Sequence, residues 1–157
     1  MARKRTLQVS INNALLVSRS DYADTLTRIV EEGHCPFCEE NLFRHHSEAL
    51  LFKTTHWLAT RNAWKYEGAK HHFLLIYRKH TENAAELPDS AWTDLGKAFA
   101  KLSKEHGLTG CTLFMRSGDM RRTGASVRHL HAQIVMGALR TKDTQPIAAL
   151  IGFKGKK

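Results

Sequence analysis

The sequence predicts an α+β fold, in which a mostly antiparallel sheet carries one long packing helix and a short N-terminal helix. The first observation is the long helix: after Pro88, apolar residues recur at spacings of three and four until Gly107. The second is residues 72–77, which are almost all apolar or β-favouring, as in a strand that is buried on both faces. The third is a pair of short apolar segments, residues 49–52 and 57–60, whose tight connection predicts a hairpin.

The remaining elements follow from the same periodicities. Residues 20–33 place Tyr22, Leu26 and Ile29 on one helical face, and Gly33 is positioned to end that helix. Further strands are predicted at residues 111–115, 127–136 and 147–153, with a polar loop at residues 117–124. Because the chain contains neither an internal repeat nor a linker rich in Gly, Pro or Ser, we expect one domain over residues 1–157. Its core should span about residues 35–136.

The composition describes a basic globular chain. Its 157 residues include 24 Lys or Arg and 15 Asp or Glu, which gives a formal net charge of +9. Positive potential favours nucleic acid, an anionic lipid surface or a small phosphate-rich substrate, and charge alone does not choose among them. Part of the excess lies in two short basic ends, which we expect to be mobile and solvated. Four further arginines are close to one another in sequence: Arg116, Arg121, Arg122 and Arg128.

Targeting signals and disulfides are not indicated. The basic first five residues lead into residues 7–13, which polar side chains interrupt, so a secretory signal is not predicted. No apolar run approaches the length of a membrane span, and no membrane partner is expected. The three cysteines cannot form a disulfide framework without leaving one thiol over. We therefore expect a cytoplasmic protein.

The densest chemistry lies in residues 124–135. Because side chains alternate across a strand, His129, His131 and Gln133 should project from one face, while aliphatic residues project from the other. A solvated edge strand is the alternative interpretation. The wholly aliphatic opposite face and the neighbouring arginines favour a functional site instead. A neutral imidazole can attack phosphorus and later leave, so a histidine here suits covalent catalysis.

These residues resemble a known signature. Residues 129–135, HLHAQIV, are similar to the signature of the histidine-triad (HIT) superfamily, in the variant that has glutamine in place of the third histidine. That variant resembles the branch containing galactose-1-phosphate uridylyltransferase and diadenosine tetraphosphate phosphorylase. Residues 72–80 resemble the family's strand that opens with a histidine and closes with a basic pair and a second histidine. The resemblance extends over about residues 35–135 and implies a HIT-like antiparallel sheet.

The resemblance also implies roles for individual residues. His131 corresponds to the nucleophile that attacks the α-phosphorus, and Gln133 would donate an amide hydrogen bond to a phosphoryl oxygen. Ser126 lies where the family has a donor near the same phosphate, and His72 matches a pocket histidine. Further substrate contacts are expected from Asn62, for a ribose hydroxyl, and from Arg116. The arginine stands where the family often has Asn-x-Gly, so the asparagine role does not transfer, although a guanidinium binds phosphate well.

A metal site is predicted at Cys35 and Cys38. Two thiolates separated by two residues have the spacing of a zinc knuckle; a redox dithiol and two ordinary buried thiols are the alternatives. The resemblance implies that His80 and His129 supply the other two ligands of a structural zinc site. The local alternative is a neighbouring pair, His45 and His46. We expect Cys111 to be a buried inert thiol, and His34, His56, His71 and His106 to be surface or packing residues.

The predicted function is nucleotidyl transfer, phosphorolysis or hydrolysis of a nucleoside polyphosphate, such as a dinucleoside polyphosphate, through a nucleotidyl-histidine intermediate. Inorganic phosphate is the acceptor that the glutamine variant favours, by analogy alone. One alternative is removal of AMP from adenylated nucleic-acid ends or small molecules, suggested by the net charge, although nucleic acid is not the favoured partner. Another is a non-catalytic, zinc-stabilised nucleotide-binding module. Family members commonly form homodimers, through a surface that the sequence does not specify.

Overall fold

The computed structural model describes residues 8–16 and 20–156. Its helices and strands are, in chain order, α1 Ile11–Leu15, α2 Ser20–Glu32, α3 Leu42–His45, β1 Leu50–Lys53, β2 Trp57–Arg61, β3 His71–Tyr77, a 3-10 turn Ala84–Glu86, α4 Asp89–His106, β4 Thr112–Met115, α5 Met120–Thr123 and β5 His131–Met136. The predicted N-terminal helix, the hairpin, the central strand and the long helix are all present. The α+β prediction is therefore confirmed.

The five strands form one antiparallel sheet in the order β1-β2-β3-β5-β4. Strand β3 is central, and six of its seven residues are buried because both faces of the sheet are covered. Its continuous apolar sequence is what such a position requires. The register pairs Leu74 with Gln133 and Ile76 with His131. This pairing fixes the height of both polar residues on the sheet.

One face of the sheet packs against α4. Trp57, Leu75 and Ala132 belong to the same buried cluster as Leu95 and Leu102, which project from the helix. Ala132, on the aliphatic face of β5, points towards the helix. Trp92, which shares the spacing of three and four with the core residues, is 43% exposed, and the neighbouring Ala91 and Ala98 lie in the core instead. Small residues let the helix approach the large side chains of the sheet closely. The helix ends at Gly107, whose left-handed φ of 60° disfavours other residues.

The other face of the sheet is covered by the N-terminal part of the chain. Leu58, Leu74 and Ile76 form a buried cluster with Leu42, and Phe37 packs against it from the cysteine turn. A second cluster joins α1 and α2 to the segment just before β5. That segment carries Val127, which pairs with Val9 in an isolated antiparallel bridge. The N-terminal helices therefore cover the face of the sheet from which His131 and Gln133 project.

Three sequence predictions differ from the structure. The strand predicted at residues 127–136 begins only at His131, because Val127 pairs with Val9 and the Leu130 N–H donates to the carbonyl of Thr81. Residues 147–153 form no strand and have no regular secondary structure. The loop predicted at residues 117–124 contains the helical turn α5.

Two further expectations concern the ends of the chain and the membrane. The basic residues Arg3, Lys4 and Arg5, expected to be mobile, lie outside the described residues, as does Lys157. Within residues 8–16 and 20–156, no helix combines the length and the apolar character needed to cross a bilayer.

Candidate functional site

Five of the six predicted catalytic and substrate-binding residues line one cavity on the sheet face opposite α4. His131 and Gln133 from β5, Ser126 from the preceding turn, Arg116 after β4 and Asn62 after β2 all line it. Strand alternation explains the placement, since the intervening Ala132 points to the helix core. The local sequence therefore selects the face, and the sheet order brings the separate loops to it.

The hydrogen bonds of His131 define its tautomer. Its Nδ1 lies 2.7 Å from the backbone carbonyl of His129 and donates to it, because a carbonyl only accepts. In the neutral ring, Nε2 therefore carries the lone pair. The Phe37 ring packs edge-on against this imidazole, with the centroids 4.9 Å apart. Burial, and then the positive charge of Arg116, lower the pKa of His131 to about 4, so the ring is neutral at pH 7.

Gln133 is oriented by a buried histidine behind it. The Tyr66 backbone N–H donates to His72 Nδ1 at 3.1 Å, so the ring proton is on Nε2, which donates to Gln133 Oε1 at 2.9 Å. Since the carbonyl end of the Gln133 amide is occupied, its NH2 end is the donor available for a ligand. His72 is 1% exposed and does not line the cavity. The Asn62 amide lies 3.1 Å from the same His72 nitrogen, and its Oδ1 accepts the Trp64 N–H.

The turn before β5 is held from two sides. Tyr22 Oη on α2 lies 2.6 Å from Ser126 Oγ. Asn13 Nδ2 on α1 donates to the carbonyl of Ala125 at 2.7 Å and to that of Met120 at 3.1 Å. Both N-terminal helices therefore fix the position of the Ser126 hydroxyl at the cavity.

Arg116 is anchored at the cavity wall by the C-terminal segment. Its Nε donates to the carbonyl of Leu150 at 2.8 Å, and its Nη2 donates to the same carbonyl and to Tyr66 Oη at 3.2 Å. The guanidinium carbon lies 5.0 Å from the centre of the Phe114 ring. These contacts leave Nη1 as the group with the most freedom to donate to an anion.

Of the four clustered arginines, only Arg116 lines the cavity. Arg128 pairs with Glu82 at 3.0 Å, and Arg121 pairs with Asp119 at 2.7 Å. The proximity of the arginines in sequence therefore does not translate into one anion-binding patch.

Four predicted metal ligands form a cluster. The donor atoms of Cys35, Cys38, His80 and His129 all lie within 4.8 Å of one another. Cys35 Sγ is 3.3 Å from His129 Nδ1, and Cys38 Sγ is 3.5 Å from His80 Nδ1. His129 Nε2 donates to the Tyr77 carbonyl at 2.6 Å, which leaves the Nδ1 lone pair facing the sulfurs. A backbone carbonyl on the second ring nitrogen is how protein metal sites orient their histidines.

The protonation preferences of this cluster fit a bound cation. Burial lowers the pKa of His129 to about 4, so the ring is neutral, as a metal ligand must be. Burial, then the nearby Cys35, raise the pKa of Cys38 to about 12. Two thiolates this close together need a cation to balance them, and a coordinated thiol loses its proton outright.

His45 and His46, the alternative ligands closer in sequence, lie outside the cluster formed by the two cysteines, His80 and His129. His46 Nε2 is 2.9 Å from Thr60 Oγ1, and His45 Nε2 is 3.0 Å from Glu32. His56 contacts Ser90, and His71 and His106 pack against Phe73. Cys111 packs at the edge of the main core, partly buried.

Several residues at the cavity escaped sequence analysis: Asn13, Tyr22, Phe37, Trp64, Tyr66 and Leu150. Phe37 carried the best signal, because it lies between Cys35 and Cys38, whose expected partner His129 is two residues from His131. Nothing in the sequence pattern indicated Leu150, which lies in an irregular segment.

Comparisons with known proteins agree with this architecture. No protein-family model and no curated protein matches the chain. Solved structures do match. A histidine triad protein from Clostridium difficile is 22% identical with a TM-score of 0.52, over 69% of this chain and 96% of that one. A HIT family hydrolase from Clostridium thermocellum is 24% identical with a TM-score of 0.55, over 72% and 95%. A histidine triad nucleotide-binding protein from Candida albicans is 18% identical with a TM-score of 0.55, over 72% and 87%. The chain therefore has the fold of histidine-triad proteins.

Proposed function

We propose that this protein is a nucleotidyl transferase, phosphorylase or hydrolase that cleaves a nucleoside polyphosphate through a nucleotidyl-His131 intermediate. One observation carries the proposal: His131 lines a cavity with its Nδ1 proton committed to the His129 carbonyl and its Nε2 lone pair left as nucleophile. The matching structures from Clostridium thermocellum and Candida albicans, described as a hydrolase and a nucleotide-binding protein, support the same class.

In the first step, His131 Nε2 attacks the α-phosphorus of the substrate. A nitrogen–phosphorus bond forms, and the bond from the α-phosphorus to the bridging oxygen breaks. The released phosphate-bearing group leaves with the electron pair of that bond. The Nδ1 proton stays on the ring, and its hydrogen bond to His129 stabilises the positive charge that the ring acquires.

In the second step, an oxygen of water or of inorganic phosphate attacks the same phosphorus. The nitrogen–phosphorus bond breaks, and His131 recovers its lone pair. The acceptor's oxygen forms the new bond and loses any proton it carries to the solvent. The His131 ring thus returns neutral to the state in which it began, with its Nδ1 proton in place.

The other cavity residues stabilise the phosphoryl oxygens in this proposal. The Gln133 NH2 group donates to a non-bridging oxygen, because its carbonyl end is held by His72. The Ser126 hydroxyl, which Tyr22 orients, is a second donor. Arg116 supplies positive charge to the polyphosphate, and Asn62 contacts the ribose. In enzymes that stabilise an oxyanion with fixed hydrogen-bond donors, loss of one donor costs about 10²–10³ in rate.

The proposed metal is a structural zinc ion held by Cys35, Cys38, His80 and His129. Two thiolates and two imidazoles are a donor set that zinc prefers, and a closed four-ligand site is structural. A bound zinc ion supplies charge balance and cross-links the cysteine turn to the start of β5. The chain then holds the His129 carbonyl, and through it the His131 ring, in place.

The acceptor is decided by a screen with and without phosphate. Purified protein is incubated with dinucleoside polyphosphates, nucleotide sugars and an adenylated nucleic-acid end. We expect turnover of a nucleoside polyphosphate. If this protein, with Gln133 in place of the third histidine, acts as a phosphorylase, inorganic phosphate should stimulate that turnover. Turnover of the adenylated end alone supports the nucleic-acid alternative, and binding without turnover supports a non-catalytic module.

The intermediate is tested directly. Labelled substrate is mixed with the protein, denatured without acid because a phosphoramidate is acid-labile, and digested for peptide mapping. We expect label on His131 and none in the His131→Asn variant. The matched control is His56→Asn, since His56 contacts Ser90 outside the cavity and should keep full labelling. Turnover in the His131→Asn variant at the wild-type rate would refute the proposal.

Two further proposals concern assembly and location. A homodimer would use an exposed apolar surface, and Leu113 on the edge strand β4 is 42% exposed. Light scattering of wild type and a Leu113→Lys variant tests it, with loss of dimer expected in the variant. A cytoplasmic location stays a prediction from the sequence.

A further inference from the structure

A second group of metal-ligating side chains lies outside the four-ligand cluster. Glu32 Oε2 is 3.2 Å from His34 Nδ1 and 3.0 Å from His45 Nε2, so both imidazoles contact the same carboxylate oxygen. The three donor atoms lie within 4.8 Å of one another. The proposed chemistry at His131 uses none of these residues.

The three residues lie at or next to the C-terminal ends of two helices. Glu32 is the last residue of α2, and Gly33 then turns the chain with a φ of 72°, while its N–H donates to the Ile29 carbonyl. His34 follows directly after this turn. His45 is the last residue of α3. The backbone positions of the three residues are therefore held by the ends of α2 and α3, so the residues have little freedom to move apart.

The orientation of the rings directs their nitrogens to one point. The imidazoles of His34 and His45 stack, with centroids 5.4 Å apart and planes 17° apart. Their side chains are 17% and 11% exposed, whereas Glu32 is 44% exposed. His34 Nε2 is buried without a hydrogen-bond partner among the described residues, so this ring makes its polar contact through Nδ1. The cluster therefore consists of two mostly buried imidazoles and one solvent-exposed carboxylate.

The spacing fits a transition-metal ion. Bonds of about 2.0–2.2 Å to nitrogen and oxygen place adjacent ligand atoms roughly 3.0–3.5 Å apart. The observed 3.0 and 3.2 Å already have this spacing. Two histidines and one carboxylate suit zinc or ferrous iron, and three protein ligands leave coordination positions open.

We propose that Glu32, His34 and His45 bind a divalent transition-metal ion of the zinc and iron(II) class at the edge of the cavity. His45 also lines the cavity that holds His131, so the ion lies beside the substrate cavity and not in the protein interior. Its open positions take water or an anionic oxygen ligand. This site is independent of the proposed nucleotidyl chemistry, because it needs neither His131 nor turnover.

The test uses the full chain with its four-ligand cluster first loaded with zinc and excess metal removed. Cobalt(II) is then titrated and followed by calorimetry and visible absorption. We expect one further equivalent to bind, with cobalt absorption that lacks the sulfur-to-cobalt charge-transfer band. Cobalt uptake that occurs only with that band would show that the cysteine cluster is the sole site, and would overturn the proposal.

Variants assign the second equivalent to its ligands. Glu32→Gln and His45→Gln should each weaken cobalt binding by at least about tenfold. His56→Gln, a histidine change outside the cluster, should leave it unchanged. His131→Asn should also keep the second equivalent, which separates this site from the function proposed above. Glu32 is half exposed, so its substitution should preserve the fold, as circular dichroism would show.

Two further results would overturn the proposal. Zinc-loaded wild type that takes up no further cobalt, zinc or manganese would show a hydrogen-bonded cluster only. Second-equivalent binding that persists unchanged in both Glu32→Gln and His45→Gln would place the ion elsewhere.

Discussion

The hydrogen bond from His72 to Gln133 offers the sharpest test of how the site is organised. The His72 ring accepts from the Tyr66 N–H at Nδ1 and donates to Gln133 Oε1 at Nε2. Two substitutions separate these hydrogen bonds. In His72→Asn, the amide oxygen replaces Nδ1 and nothing reaches Gln133. In His72→Gln, the amide NH2 replaces Nε2 and the Tyr66 contact is lost.

The two variants should differ in activity more than in stability. Each removes one hydrogen bond at a residue that is 1% exposed, so each should lose about 1–3 kcal/mol of unfolding free energy in urea. Only His72→Asn frees the Gln133 amide to rotate its donor away. If orientation is worth about 1–2 kcal/mol in the transition state, kcat falls roughly 5- to 30-fold with KM nearly unchanged.

The assay is single-turnover transfer of label to His131, with the best substrate from the screen. We expect the His72→Gln variant to retain most of the wild-type rate and the His72→Asn variant to show the fall. Equal rates in the two variants, after both are shown to be folded, would refute the role of Gln133 as an oriented donor.

Three further perturbations have defined outcomes. Chelation of the proposed zinc should lower the Tm because the ion joins the cysteine turn to the sheet, and Cys38→Ser should reproduce the loss; an unchanged Tm with metal released would contradict this. Burial lowers the pKa of His46 in the folded protein. Below about pH 6.5, His46 therefore takes up a proton more readily in the unfolded chain than in the folded protein, and its contribution to the free energy of unfolding is lost as the pH falls. The stability difference between wild type and His46→Gln should therefore change between pH 7 and pH 5, by at most about 1.4 kcal/mol per pH unit, and a difference independent of pH would exclude the mechanism. Gly124→Ala should destabilise by more than about 1–2 kcal/mol, because its φ is 73° and the added Cβ would lie 2.5 Å from Leu150; Leu150→Ala should recover part of the loss in a urea double-mutant cycle, and strict additivity would contradict the contact.

The predicted strand boundaries show where local pattern stops being informative. Polar and aliphatic side chains alternate from His129 to Ile134, so the local pattern extends the strand N-terminally beyond His131. In the structure the strand begins only at His131, because Val127 pairs with Val9, more than a hundred residues away in sequence. The local apolar pattern also predicted an edge strand at residues 147–153, which the structure does not contain. There, contacts of Leu150 with Arg116 and Gly124 replace sheet pairing.

The cysteine turn shows the same division. Its spacing alone indicates a pair of metal ligands, but it does not select their partners. The resemblance to histidine-triad proteins selected His80 and His129, and the structure confirms that these four residues gather. The nearer pair, His45 and His46, hydrogen-bonds elsewhere, so proximity in sequence would have chosen wrongly.

By itself, the sequence determined α2, the hairpin, the central strand and the long helix, the face of β5 that carries His131 and Gln133, and the thiol pair of the candidate metal site. All of these depend on repeats of two to four residues, which backbone geometry imposes locally. The tertiary structure alone decided that Tyr22, Asn13 and Leu150 complete the cavity and that His45 joins Glu32 and not the cysteines. Those contacts join segments far apart in the chain, and they are fixed by how the whole core packs, which no local repeat records.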